Sequence, residues 1–241
     1  MRTLLAITLL LGAALSLAAA QAPNGAPPVT LTRGPRQARA VPQRQGFTHT
    51  GGGNIDVAQP APDTVVVTLT GVAVAGGHPC KDSAAALVFE LTQGLEINAD
   101  PKVKAVRLTL EGRVIGLLRS TKCGTARQGP VCASVTGGAG PLVSLAMPPH
   151  AVAGGESVSV NDREGPEAVV VPPGKYTLHQ TFEVAAAHPR SLCGKAASAE
   201  FAPDPALDPL WISYWEPFHG AAKKDFGFQV ILKVAPEANG N

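Results

Sequence analysis

The sequence predicts an all-β fold: an antiparallel two-sheet β-sandwich with little helix. Three observations carry that expectation. Runs of valine, threonine and leucine alternate with period two, as in Thr64–Ala75 and Asp225–Val234. The chain holds 26 glycines and 22 prolines with only 5% aromatic residues, which reads as many short strands separated by turns. No stretch longer than a turn or two repeats its apolar residues every 3.6 positions. The layout resembles immunoglobulin-like modules in architecture only, because the Cys-Trp-Cys pattern of true immunoglobulin domains is missing.

The first twenty residues read as a secretion signal rather than as part of the fold. Arg2 supplies a positive start, 4–17 is apolar, and Ala18-Ala19-Ala20 offers small residues for cleavage before Gln21. That apolar run is shorter than the ~20 residues a membrane span needs. No later segment is long and apolar enough to span. The mature chain is therefore expected to be secreted, periplasmic or held in the cell envelope. Residues 21–45 are rich in proline and arginine and lack acidic residues and apolar periodicity, so they read as a disordered linker. Arg33, Arg36, Arg39 and Arg44 fall in it, and a segment so charged suits contact with an anionic envelope surface. All 18 acidic residues lie after it, leaving a body of about −3. The whole-chain charge of +2 gives no reason to expect nucleic acid.

Residues 46–236 read as one β-sandwich domain, and 237–241 as a frayed end. Thr64–Ala75 is apolar on both faces, which suits a central strand. In 84–91, Leu87, Phe89 and Leu91 point inward and Glu90 outward. Segments 102–110 and 113–119 flank Glu111-Gly112 and read as a hairpin, giving three consecutive neighbouring strands. Val131–Val135, Leu142–Met147, Val158–Val160 and Ala168–Val171 read as short strands, the last two split by a polar turn at 161–165. Lys175–Val184 is a second long core strand, followed by Ala197–Phe201 and the C-terminal strand ending at Val234.

Four cysteines in an exported chain read as two disulfides. Cys123 and Cys132 flank a short loop and suit a local bridge. Cys80 and Cys193 then staple the ends of the two long strands at one pole. That staple would bring His78 and His188, each before a proline, close enough to hold zinc or copper. Zinc on the cysteines is disfavoured by the absence of any Cys-x-x-Cys.

The other candidate site is aromatic. In an extended 210–217, Trp211 and Trp215 share a face about 13 Å apart at ~3.3 Å per residue, with Tyr214 on the opposite face. Such a pair suits stacking on sugar rings; equally, two tryptophans in an aromatic-poor chain suit a core. Asn161, Asp162 and Glu164 form a small acidic turn. Motifs for a serine nucleophile elbow, a zinc protease helix, a phosphate loop or an EF-hand are absent from the sequence, and no cofactor is expected. The reading is an exported, non-catalytic module that binds an envelope polymer or a protein partner. Its alternatives are a carbohydrate-binding module using Trp211 and Trp215, or a small metal-dependent enzyme at the His78/His188 pole.

Overall fold

A computed structural model describes residues 29–46, 48–77, 80–138, 140–190, 196–201 and 226–237. All its regular elements are strands, in two antiparallel sheets that face each other across one core. The strands are β1 (Val29–Gln45), β2 (Thr48–Ala61), β3 (Thr64–Ala75), β4 (Ser83–Ala99), β5 (Val106–Arg119), β6 (Thr125–Gln128) and β7 (Val131–Gly137). They continue with β8 (Gly140–Met147), β9 (His150–Val152), β10 (Ser157–Val171), β11 (Gly174–His188), β12 (Ala197–Phe201) and β13 (Gly227–Pro236). Among the described residues no helix is long and apolar enough to cross a membrane.

Each sheet is five ribbons wide, because several strands lie end to end. In the first sheet, β6 and β7 both flank β11, at 184–187 and 177–181, and β9 and β8 lie outside them. The order is therefore β1, β4, β11, β6 with β7, then β9 with β8. In the second sheet, β12 and β13 occupy one line between β3 and β5. Phe201 faces Gly71, and Phe228 faces Leu69. β12 ends at Phe201, and β13 begins at Gly227. The remaining ribbons are β10 beside β5, and β2 beside β3.

Alternation places the core. Val65, Val67 and Leu69 of β3 are fully buried, as are Leu87 and Phe89 of β4 and Leu108 and Leu110 of β5. Four phenylalanines tie the sheets together: Phe89 and Phe182 from one, Phe201 and Phe228 from the other. Phe182 sits at their centre, with ring centroids 5.7, 5.4 and 6.0 Å from the other three. Room for these rings comes from glycine. A Cβ on Gly71 would lie 2.7 Å from the Phe89 ring, and one on Gly116 would fall inside contact range of Phe201.

Several sequence expectations are corrected. Residues 29–45 are not a linker but the edge strand β1, paired with β4 from Val29↔Ala99 to Gln45↔Ala84. Beyond Leu31 it is largely exposed on both faces, so it carries no apolar alternation to read. Backbone pairing holds it, helped by buried Gln93, whose Nε2 donates to the carbonyls of Gly34 (2.9 Å) and Gly94 (2.8 Å). The Glu111-Gly112 hairpin does not form, and β5 runs straight through. Here glycine marks a close approach, since its Cβ would lie 2.6 Å from Met147 Cε. The acidic turn at 161–165 is likewise the middle of β10, with a bulge at Gly165-Pro166 opposite Glu111. Nor are 84–91, 102–110 and 113–119 three neighbouring strands: the first belongs to β4 in one sheet, and the other two fall in the single strand β5 of the other.

Neither expected disulfide is present, since Cys80 and Cys132 are both exposed thiols. Cys132 points outward from β7, away from the loop it was expected to staple. Cys123 is disulfide-bonded, but not to Cys132. The poles of the two long strands meet all the same. Asp82 Oδ1 accepts the Arg190 backbone N–H at 2.7 Å, and His188 lies opposite Ser83.

Every sheet edge is blunted. β1 is bulged between Arg33 and Arg36, at Gly34-Pro35, and carries Pro42 further on. β10 is bulged at Gly165-Pro166, and β2 shifts register twice, once around Gln59-Pro60. The β8/β9 edge is interrupted by Pro148-Pro149. Prolines and bulges at edges obstruct strand addition. Side chains then close both flanks of the sandwich. Arg33 Nη1 donates to Val57 O, and Gln59 Nε2 to Leu31 O, each at 2.5 Å. On the other flank His150 Nε2 meets Asp162 Oδ2 at 2.5 Å, joining β9 to β10.

Candidate functional site

The outer face of the first sheet carries a shallow concavity at one end. β4 and β11 each carry an alanine triplet, and the antiparallel register sets them side by side: Ala84↔Ala187, Ala85↔Ala186, Ala86↔Ala185. The middle pair faces the core with Ala126. The outer pairs form a floor of four methyl groups. Gln43 and Gln45 of β1 stand on one side of it, and Thr125 and Arg127 of β6 on the other. Because alanine fills so little volume above the sheet, the floor is a shallow groove of about 450 Å³, reached also by Arg44. Arg127 Nη2 lies 2.6 Å from Glu183 Oε1, which holds the guanidinium at the groove wall.

Further along the same face the side chains are short and polar. Glu90, Thr181 and Cys132 form one cross-strand row, and Thr92, His179 and Ser134 the next. His179 Nδ1 is 3.3 Å from Thr92 Oγ1, and its Nε2 is 3.4 Å from Thr136 Oγ1. The imidazole thus lies between two hydroxyls. Glu183, four residues further along β11, pairs with Arg127 rather than with His179.

The sequence-predicted sites are only partly within view. Trp211, Tyr214, Trp215, His78 and Cys193 lie outside the described residues. His188 is 1% exposed, with Nδ1 2.9 Å from Pro189 O, and its ring packs against the position a Gly124 Cβ would fill. It faces the interior rather than an open pole. No cluster of three or more potential metal ligands occurs among the described residues.

One ionisable group is buried without obvious use. Ser198 and Glu200 of β12 point away from the core, opposite Val74 and Val72 of β3, in an apolar patch separate from the main core. Glu200 is 4% exposed; Ser198 Oγ donates to its Oε1 at 2.5 Å, and Oε2 has no partner among the described residues. Burial raises its pKa above the ordinary carboxylate value, while Ser198 and the Arg119 guanidinium oppose that shift. A raised folded-state pKa favours the neutral acid. Its stabilising contribution is therefore complete below the unfolded pKa and is lost as pH rises through the folded one. Glu200→Gln removes this titration. Thermal unfolding followed from acid to neutral pH should show the variant's stability falling less with rising pH than the wild type's. Parallel curves would refute the assignment.

No protein family matches the chain, and no curated protein matches it. Among solved structures, the chain is similar to the enzymatically active domain of tailspike protein 4 from bacteriophage CBA120, at 15% identity and a TM-score of 0.17. That match covers 67% of this chain and 19% of the other. A likeness this slight carries no functional argument.

Proposed function

We propose that this chain is an exported, non-catalytic binding module of the cell envelope or extracellular space, and that its ligand lies in the alanine-floored groove on the outer face of the first sheet. The groove carries the reading: four methyl groups in two cross-strand pairs, walled by two amides, a hydroxyl and a guanidinium, with a volume of about 450 Å³. A methyl floor accepts the CH-rich face of a sugar ring, while the walls meet its hydroxyl edge. Small apolar floors with a few placed polar groups are the usual make-up of ligand sites. The blunted edges favour this over a subunit assembled by strand pairing. Export rests on the apolar N-terminal segment and its Ala18-Ala19-Ala20 cleavage pattern.

The test is co-sedimentation of the purified full-length chain with peptidoglycan sacculi, chitin and cellulose, and affinity electrophoresis in soluble neutral and acidic polysaccharides. At least one polymer should retain the protein, and Ala86→Arg, which fills the groove from an exposed-face position, should abolish retention without loss of fold by circular dichroism. Retention by none, or retention unchanged in Ala86→Arg, would sink the proposal. A Trp211→Ala/Trp215→Ala variant tests the rival platform. Loss of binding there, with Ala86→Arg unaffected, would move the site to the aromatic segment.

A further inference from the structure

We infer that residues 202–225, with the chain's two tryptophans, pack back onto the outer face of the second sheet and complete a satellite core there. The observation that carries it is burial where no described strand supplies cover. Leu117, Glu200 and Val72 form one cross-strand row on that face, and Arg119, Ser198 and Val74 the next. Leu117 is 3% exposed, and Glu200, Val72 and Val74 are each 4% exposed. Ile115 and Phe226 make a second buried pair close by. Yet every described strand belongs to one of the two sheets, so none lies over these side chains.

The cover is local. Further along β3, Val66, Thr68 and Thr70 on the same face are only half-buried, and on β10 Ser157, Ser159 and Asn161 are exposed. The shielded patch lies where β12 gives way to β13. β12 stops at Phe201 and Phe226 precedes β13, so both ends of residues 202–225 stand at the patch. At ~3.3 Å per residue, half of that segment reaches about 40 Å, far more than three strands at ~4.8 Å spacing require. It carries Leu210, Trp211, Ile212, Tyr214, Trp215 and Phe218, the apolar area such a patch takes up.

Glu200 sharpens the match. Its Oε2 is buried without a partner among the described residues, and a buried acceptor calls for a donor. Indole N–H and tyrosine hydroxyl groups bring a neutral donor together with apolar area, and the segment holds both kinds in Trp211, Tyr214 and Trp215. Other occupants fit less well. The shielding exists within a single chain, which argues against a second copy. Residues 191–195 are few and already join Arg190, after β11 in one sheet, to Ala196, before β12 in the other. The apolar N-terminal stretch leads into β1, which belongs to the opposite sheet. The alanine-floored groove lies on that opposite sheet too, so this inference stands or falls independently of it.

Intrinsic fluorescence of the purified full-length chain reads the segment directly, because Trp211 and Trp215 are its two tryptophans. Emission should be blue-shifted from its position in urea, and acrylamide should quench it several-fold less. Leu117→Gln and Val74→Gln should each move emission to the red and raise quenching, with far-ultraviolet circular dichroism unchanged. Val170→Gln, at an exposed position on the same face, should change neither. Leu117→Ala trims the patch without adding a polar group; it should act in the same direction by less, and it carries the test if glutamine prevents folding. Native emission and quenching equal to those in urea would overturn the inference. Shielded tryptophans that ignore all three patch variants would lie against some other surface, which overturns it too. Emission that reddens on dilution would assign the face to a second copy instead.

Discussion

Phe182→Ala is expected to destabilise the fold by about 3–5 kcal/mol, the range for truncating a fully buried aromatic side chain. The ring is 1% exposed and touches three other phenylalanines, one stacked at 19° and two from the opposite sheet at 76° and 52°. Its loss leaves a hole that the β4, β12 and β13 rings cannot fill together, because each is fixed by its own strand register. Typical domain stabilities are ~5–15 kcal/mol, so this one change removes a large part of the total. Urea unfolding of wild type, Phe182→Ala and Phe182→Leu measures it, with leucine recovering part of the loss. Val170→Ala, at a half-exposed β10 position, is the control and should change stability by no more than about 0.5 kcal/mol. A cost below about 1 kcal/mol for Phe182→Ala would mean that the aromatic cluster does not join the two sheets as described.

What the sequence made legible depended on whether a strand has one buried face. β3 is found at Thr64–Ala75, as its alternation predicts, and β12 at Ala197–Phe201. The inward sets Leu87–Phe89–Leu91 and Val106–Leu108–Leu110 are likewise buried. β1 was illegible because an edge strand exposed on both faces leaves only proline and arginine to read, the same composition as a solvated linker. Glu111-Gly112 and Asn161–Gly165 look like turns because glycine and acidic residues are turn formers. In the folded protein the first glycine clears space for Met147, and the second sits at φ +89° in a bulge. Local chemistry cannot distinguish these uses of glycine; only the neighbouring strand does.

The groove was nearer to view than the fold's connectivity. Two alanine triplets, 84–86 and 185–187, stand in the sequence at the near ends of the two long strands of one sheet. Their significance depends on register. Shifted by one residue, the middle alanines would face solvent and the floor would vanish. The signal was a matched run of small residues in two strands, and reading it required knowing that β4 pairs with β11 rather than with β3 or β5. Assigning the cysteines failed for a related reason. Proximity in sequence favoured Cys123 with Cys132, but Cys132 sits on a strand whose alternation points it outward.

Gly116→Val tests the packing from the opposite direction, and two effects of opposite sign compete. On intrinsic preference a valine in mid-strand should stabilise: glycine costs roughly 0.5–1 kcal/mol in a strand interior, and β-branched residues fit a pleated surface. Space decides against it. A Cβ at Gly116 would meet three atoms of the Phe201 ring, and that ring is fully buried with its edge against Phe182, so it has nowhere to retreat. Overpacking a rigid site costs about 1–3 kcal/mol and sometimes more, which exceeds the propensity gain. The expected net result is a lower midpoint in thermal and urea unfolding. Adding Phe201→Leu should restore part of it, giving a coupling of at least about 0.5 kcal/mol in the double-mutant cycle. If Gly116→Val instead raises the midpoint, the β5 glycine is not making room for the ring, and the packing of β12 beside β5 at this point is wrong.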